Sequence, residues 1–224
     1  EVKNKNFMFK DYDQRVSQNN LYTLISEGEH GEQDFKYRIT DARKIARTLS
    51  AFANTSGGRL LVGVRDNGSI AGVKDEDDIY MLESASEVFL KPALKLEVWA
   101  HDVDGKLVWE IEISEGKNKP YQVDEVDGLK AYYRNGDQNF IANAVLKEIW
   151  KQDRLKESKH PVAFSVKEQR LIQYLKDYDE VSVSKAAKVM ELHRSKTIEI
   201  LARLVRWNVI KWTHDTQEGF KYCL

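Results

Sequence analysis

Sulfur chemistry is almost absent from this chain: among 224 residues there is one cysteine, Cys223, one position from the end. A single thiol closes no internal disulfide and builds no multi-cysteine zinc site. It reads as a strand residue, and the chain as suited to a reducing, cytoplasmic setting. Long apolar runs are missing too. No stretch approaches the ~18–20 residues that a bilayer crossing needs, and EVKNKNFMFK at positions 1–10 lacks the apolar centre of a secretory signal. No membrane partner is expected. The glycine pair Gly57-Gly58 is followed by Arg59 rather than by Lys-Ser or Lys-Thr, which excludes a Walker phosphate loop. There is no Gly-x-Ser-x-Gly elbow and no Cys–His nucleophile pair. His30, His101, His160, His193 and His214 are scattered without metal-ligand spacing, and no internal repeat or low-complexity tract interrupts the chain.

What is present is a well-solvated globular composition, 42% hydrophobic and 32% charged, long enough for one large domain or two ordinary ones. The overall charge of −1 conceals an asymmetry. Residues 1–150 carry 20 Lys/Arg against 26 Asp/Glu, whereas residues 151–224 carry 15 against 10. Net charges of −6 and +5 predict two domains with different partners, the basic one a candidate for phosphate contact.

Residues 1–20 read as an N-terminal arm rich in Lys, Asn, Asp and Gln. From residue 21 the pattern predicts a short helix, a glycine-containing loop and a strand in which Phe35, Tyr37 and Ile39 alternate with Asp34, Lys36 and Arg38. A helix follows, with Thr40 as N-cap, Asp41 in its first turn, and Ile45, Leu49 and Phe52 on one apolar stripe. Asn54-Thr55-Ser56-Gly57-Gly58 ends it, LLVGV forms a buried strand, and Asp66-Asn67-Gly68 makes a tight turn. A helix near 76–91, a long hairpin over 94–113 and a strand pair in GLKAYYRNGDQNF complete an α+β domain with a mixed or antiparallel sheet, ending near residue 152.

Beyond KQDRLKESKHP the order changes to three helices (SVKEQRLIQYLKDY, SKAAKVME, RSKTIEILARLVRWN) and two strands, VIKWTH and FKYCL. That order, over residues 162–224, predicts a small winged helix-turn-helix domain. In its third helix Ile198, Leu201 and Val205 point inward. Arg194, Lys196, Thr197 and Arg203 are left outside, with His193 and Ser195 at the start. Arginine reads guanine edges bidentately and hydroxyls hold phosphates, so these six are the candidate nucleic-acid contacts. Against this stand Glu199 on the helix and Asp215 and Glu218 in the wing. A winged helix also serves dimerisation and protein docking, which leaves a protein-interaction module without nucleic-acid activity as an alternative. Arg134, with Tyr132 and Tyr133 before Asn135-Gly136, is a further candidate nucleotide contact.

The large domain offers carboxylates. Glu27, Glu29, Glu32 and Asp34 precede Lys36, and Asp66 follows a buried strand. Asp34 and Lys36 share one face of their strand because side chains alternate. Two or three carboxylates can hold a divalent metal that activates water, with a lysine steadying phosphate charge. A solvated edge-strand face accounts for the same residues without chemistry.

The acid-Phe-Lys triplet Asp34-Phe35-Lys36, the string AFANTSGG, the run GVRDNGSIAGV, and later KPYQV and AYYRNGDQNFIANA resemble the Schlafen AlbA-type domain family, also described as divergent AAA-4 proteins. The resemblance covers roughly residues 21–150. It implies an α+β fold and a nucleic-acid-related role, since many bacterial relatives carry a C-terminal winged helix and are regarded as transcriptional regulators or DNA-binding proteins. RNA-cleaving relatives use three acidic residues, whose equivalents by motif position are Glu29, Asp34 and Asp66. This chain has Asp34 where the family's triplet begins with Glu.

The expectation is therefore a DNA-binding transcriptional regulator, with RNA as a second possible ligand, a C2 homodimer as its form, and no required cofactor. The alternative is a nuclease dependent on Mg or Mn, with Glu29, Asp34 and Asp66 as metal ligands and Lys36 assisting catalysis.

Overall fold

The computed structural model describes residues 12–13, 18–73, 77–156 and 163–224. It divides into two compact units, one ending at Ile141 and the other running from Ala142 to Leu224. The dividing line differs from the one the sequence suggested. The helix that begins at Ala144 belongs to the second unit, not the first, because Val145 packs with that unit's core. By these bounds the first unit has 19 Lys/Arg against 25 Asp/Glu and the second 16 against 11, so the charge asymmetry persists. Among the described residues, no helix is long and apolar enough to cross a membrane.

The first unit is α+β with a mixed sheet. Its elements are β1 (Tyr12–Asp13), α1 (Gln18–Glu27), β2 (Gln33–Lys36), α2 (Ala42–Asn54), β3 (Gly58–Val62), α3 (Asp77–Ser84) with a π-turn over Ala85–Phe89, β4 (Leu90–Lys91), β5 (Glu97–Val103), β6 (Lys106–Ile113), β7 (Gln122–Glu125), β8 (Gly128–Asn135) and β9 (Gln138–Ile141). Five strands form one sheet in the order β1-β5-β6-β3-β2, and four form a second in the order β4-β7-β8-β9. In the first sheet β2 runs parallel to β3 and β1 parallel to β5, while the β3-β6 and β5-β6 pairs are antiparallel.

Period-two alternation gives this five-stranded sheet two buried faces. Leu60, Val62, Val98, Ala100, Trp109, Ile111 and Ile113 meet α2 on one side. Phe35, Leu61, Val103 and Val108 meet Leu21 and Leu24 of α1 on the other. Helix α2 is buried on nearly every side because the second sheet also packs on it, through Leu90, Val123 and Tyr132. The N-cap of α2 is Asp41, whose side chain accepts from the Lys44 amide, rather than Thr40. After α2 the chain turns through Gly57 at φ +79°, where a Cβ would stand 2.6 Å from the Ile113 carbonyl oxygen. Only glycine fits there.

The second unit contains α4 (Ala144–Arg154), α5 (Val166–Tyr178), β10 (Glu180–Val181), α6 (Val183–Met190), α7 (Arg194–Arg206), β11 (Lys211–Asp215) and β12 (Gly219–Cys223). Its three strands are antiparallel in the order β10-β12-β11. Leu171, Leu175, Ala186, Met190, Leu201, Leu204 and Tyr222 form its core. Each of α4, α5 and α6 begins at a side-chain cap, from Asn143, Ser165 and Ser182.

Candidate nucleic-acid interface

Helix α7 carries most of the proposed contacts, and the structure sorts them. His193, Arg194, Ser195 and Lys196 are exposed at its N-terminal end. His193 is the N-cap by backbone geometry alone, with no side-chain cap bond. Thr197 is different: it is fully buried, and its hydroxyl donates to the His193 carbonyl at 3.1 Å. Helical spacing placed it outside the stripe, but it is fully buried, so its hydroxyl serves the helix start rather than meeting a ligand. Arg203 is also committed. Its guanidinium pairs with Glu168 and lies over the Trp207 ring at 5.2 Å. Glu168 in turn takes the Ser165 amide at 2.7 Å in the capping box of α5. Burial pushes the Glu168 carboxyl up, but Arg203 and Ser165 outweigh it and hold the group below its ordinary value.

Lys196 donates to Glu199 one turn on, at 2.6 Å, and Arg206 donates to Asp153 at 3.0 Å. Of the four cations on α7, Arg194 is the one with no acidic partner among the described residues. It borders a cavity of about 250 Å³ with Asn143, Ser182, Ser184 and Phe220. No Asp or Glu lines that cavity.

The acidic cluster of the first unit assembles only in part. Asp34 and Lys36 are in register with Leu60 and Val62, which places them on the α2 side of the sheet. Asp34 is buried rather than a solvated edge residue, and its carboxylate meets Lys36 Nζ at 2.8 Å and Arg134 Nη2 at 3.7 Å. Glu29 accepts the Phe35 amide at 2.9 Å and lies close enough to Asp34 to share a hydrogen bond. Burial, then that bond, pushes the Glu29 carboxyl above its ordinary range. Asp66 sits exposed in the turn that Gly68 closes by donating to the Arg65 carbonyl. Among the described residues, no three His, Cys, Asp or Glu side chains are grouped so as to hold a metal ion. The structure thus joins Glu29 to Asp34 and leaves Asp66 outside. With Asp34 already matched by two cations, this donor set does not fit a divalent ion.

Arg134 is not an open contact either. It is 5% exposed, and its guanidinium donates to the carbonyls of His30 and Gln33 and to Asn139, over the face of Phe52. Tyr132 turns its hydroxyl onto Glu125, which Arg47 grips with two bonds at 2.7 and 2.9 Å. These residues tie the second sheet to α2 and β2.

Sequence reasoning missed two polar assemblies. Asn54, in the AFANTSGG string, is buried and donates to the carbonyls of Tyr121 and Tyr132 while accepting the Tyr121 amide. On the α1 side of the sheet, Gln33, Arg59, Glu110 and His101 form a row across four strands. Arg59 donates to Glu110 at 2.8 Å, and His101 Nε2 meets the other carboxylate oxygen at 2.8 Å. Burial pushes Glu110 up, but His101 and Arg59 prevail and keep it below its ordinary value. The alternation of β6 placed Glu110 opposite Trp109 and Ile111. The available signal was Val103 and Val108 on that same side, which marks it as covered.

Fold and site together define an α+β protein of two units, with a small basic unit in which Arg194 and Lys196 are exposed at the start of α7. The chain belongs to the Schlafen AlbA_2 family, whose model matches residues 29–143, slightly over half of it. Among solved structures it is similar to the DIP2311 protein from Corynebacterium diphtheriae, at 19% identity and a TM-score of 0.47, covering 90% of this chain and 42% of that one. It is also similar to the N-terminal domain of a RecG-related protein from Nitrosomonas europaea, at 24% identity and a TM-score of 0.40, covering 58% of this chain and 96% of that domain. The chain thus spans less than half the length of the Corynebacterium protein. No curated protein matches it.

Proposed function

We propose that the chain binds nucleic acid, DNA foremost, and that its second unit does so as a winged helix-turn-helix with α7 toward the groove. The observation that carries this reading is the exposed start of α7, where Arg194 has no acidic partner among the described residues, in a unit of net charge +5. An unmatched guanidinium beside Ser195 and His193 suits base edges and phosphates, because neither an ion pair nor burial has to be undone first. Membership of a family regarded as nucleic-acid-associated supports the same reading. In this reading α5 and α6 support α7, the β11–β12 hairpin is the wing, and the protein works as a transcriptional regulator. The first unit supplies regulation or self-association, and a C2 homodimer doubles the contact.

Fluorescence anisotropy of a labelled duplex against the full chain, in EDTA and at several salt concentrations, tests it. Affinity should fall steeply as salt rises, since each neutralised phosphate releases counterions. Arg194→Ala should weaken binding by ~1–3 kcal/mol if it reads a base. Lys196→Ala should cost less, because Glu199 already holds that ammonium. No binding at low salt removes the reading.

A further inference from the structure

Strand β11 lies at a sheet edge: among the described residues it pairs with β12 and with no other strand. An edge of this kind is a template for a further strand unless the fold guards it. Strand β2, one edge of the five-stranded sheet, is guarded by side chains. The Phe35 amide donates to Glu29 and the Gln33 carbonyl accepts from Arg134. Strand β10, the other edge of the small sheet, spans only two residues. β11 has five, Lys-Trp-Thr-His-Asp, with neither proline nor glycine to interrupt pairing.

Its register with β12 puts Trp212 and His214 on the face of Tyr222 and Phe220, and Lys211, Thr213 and Asp215 on the other. Those last three are exposed. The ion pairs of this hairpin run from Lys221 to Glu180 and Glu218, and among the described residues Lys211 takes part in none. Asp215 accepts the Gln217 and Glu218 amides with Oδ1, which leaves Oδ2 open to a cation. The strand is self-complementary about Thr213. With a second β11 antiparallel to it and Thr213 opposite Thr213, Lys211 faces the second copy's Asp215 and Asp215 faces its Lys211. Trp212 likewise faces the second copy's His214, so every opposing pair shares a face. A slip of two residues sets Lys211 against Thr213 or Gln217 and matches no charge. A slip of one sets the charged face against the aromatic one. A two-fold contact requires this reciprocal matching.

We propose that two copies of this chain pair through β11, edge to edge and antiparallel about Thr213, to form one six-stranded sheet. The inference supplies the interface of the homodimer named above; it rests on that part of the reading and not on nucleic-acid binding.

Sedimentation velocity of the full chain over a concentration series, without nucleic acid, tests it first. A monomer–dimer equilibrium is expected. Lys211→Glu makes both cross-strand charge pairs repulsive and should weaken dimerisation about 10-fold. Thr213→Cys, combined with Cys223→Ser to remove the natural thiol, puts two sulfurs across the two-fold at a Cα spacing of about 4.5–5.5 Å, within disulfide reach. Oxidation should give a covalent dimer. Thr216→Cys in the same background is the control, because this register holds the two copies of Thr216 about 20 Å apart. Thr213 and Thr216 are both exposed, so neither change disturbs packing. A chain that stays monomeric, or a dimer that resists Lys211→Glu and links Thr213→Cys no faster than Thr216→Cys, overturns the pairing. Duplex binding that survives that outcome leaves the nucleic-acid reading standing without this interface. A dimer with these signatures that binds no duplex keeps the interface and removes the nucleic-acid reading.

Discussion

Two arginines of this chain, Arg134 and Arg194, have the same chemistry and opposite availability. Arg134 satisfies backbone carbonyls deep in the first unit, whereas Arg194 meets solvent at the start of α7. Removing Arg134 would take a charged donor from the His30 and Gln33 carbonyls, leave Asp34 with Lys36 alone and empty the space over Phe52, so Arg134→Ala should cost about 3 kcal/mol of stability in a urea titration. Duplex affinity of the folded fraction should not change; a folded variant with weakened binding would return Arg134 to the interface. Glu125 gives a pH-dependent counterpart. Its bonds from Arg47, foremost, and from Tyr132 outweigh burial and lower the carboxyl from 4.5 to about 2. The unfolded chain takes up this proton near the ordinary value and the folded chain near about 2. The stabilisation is therefore full above the unfolded value and is lost as pH falls through the folded one. Glu125→Gln should destabilise at neutral pH and flatten the acid limb between those two values, read as urea midpoints across pH. A variant whose acid limb matches wild type would refute that assignment.

At the scale of elements, the turn after α2 concentrates the constraints. Gly57 needs a positive φ, and any Cβ there meets the backbone of Ile113 and of Glu115 at 2.6 and 2.9 Å. Gly57→Ala should cost about 3 kcal/mol or prevent folding, because backbone on both sides has to move. Ser56→Ala next to it, exposed, should be close to neutral; a Gly57→Ala variant as stable as wild type would show that this corner relaxes. Periodicity and turn chemistry made these elements legible. Helix α2, the β5–β6 hairpin, the Asp66-Asn67-Gly68 turn and the helix order of the second unit all follow from spacing that local physics enforces. The partners of polar side chains were not legible in the same way. Thr197 and Arg203 fall off the apolar stripe of α7, yet one is fully buried and the other is paired with Glu168, 35 positions earlier. A helical wheel shows which way a residue points but not what stands there. Asp34, Lys36 and Glu29 were read together from the sequence, and two of the three carboxylates do meet; the distance of Asp66 depends on a sheet topology that no spacing reveals.

At the scale of the molecule, the dividing line matters more than any single contact. The charged tract after Trp150 looked like the boundary, yet Ala142 opens the second unit and α4 belongs to its packing. Val145 joins that core, Gln152 donates to the Glu199 carbonyl, and Asn143 both caps α4 and bonds Tyr222. A fragment starting at residue 162, where composition suggested, loses every one of these ties and exposes the α7 surface that α4 covers. A fragment of residues 142–224 keeps them. The longer fragment should unfold cooperatively on heating. The shorter one should melt lower by at least ~5 °C or show no transition, because losing a packed helix from a unit of this size removes well over 1 kcal/mol. Calorimetry on both fragments decides it. Equal melting temperatures would move the boundary back to the charged tract. A longer fragment that folds and binds duplex with the salt dependence of the full chain would locate the phosphate-neutralising charge in residues 142–224. That outcome follows from electrostatics, since a unit of net −6 adds repulsion toward a polyanion while one of net +5 attracts it.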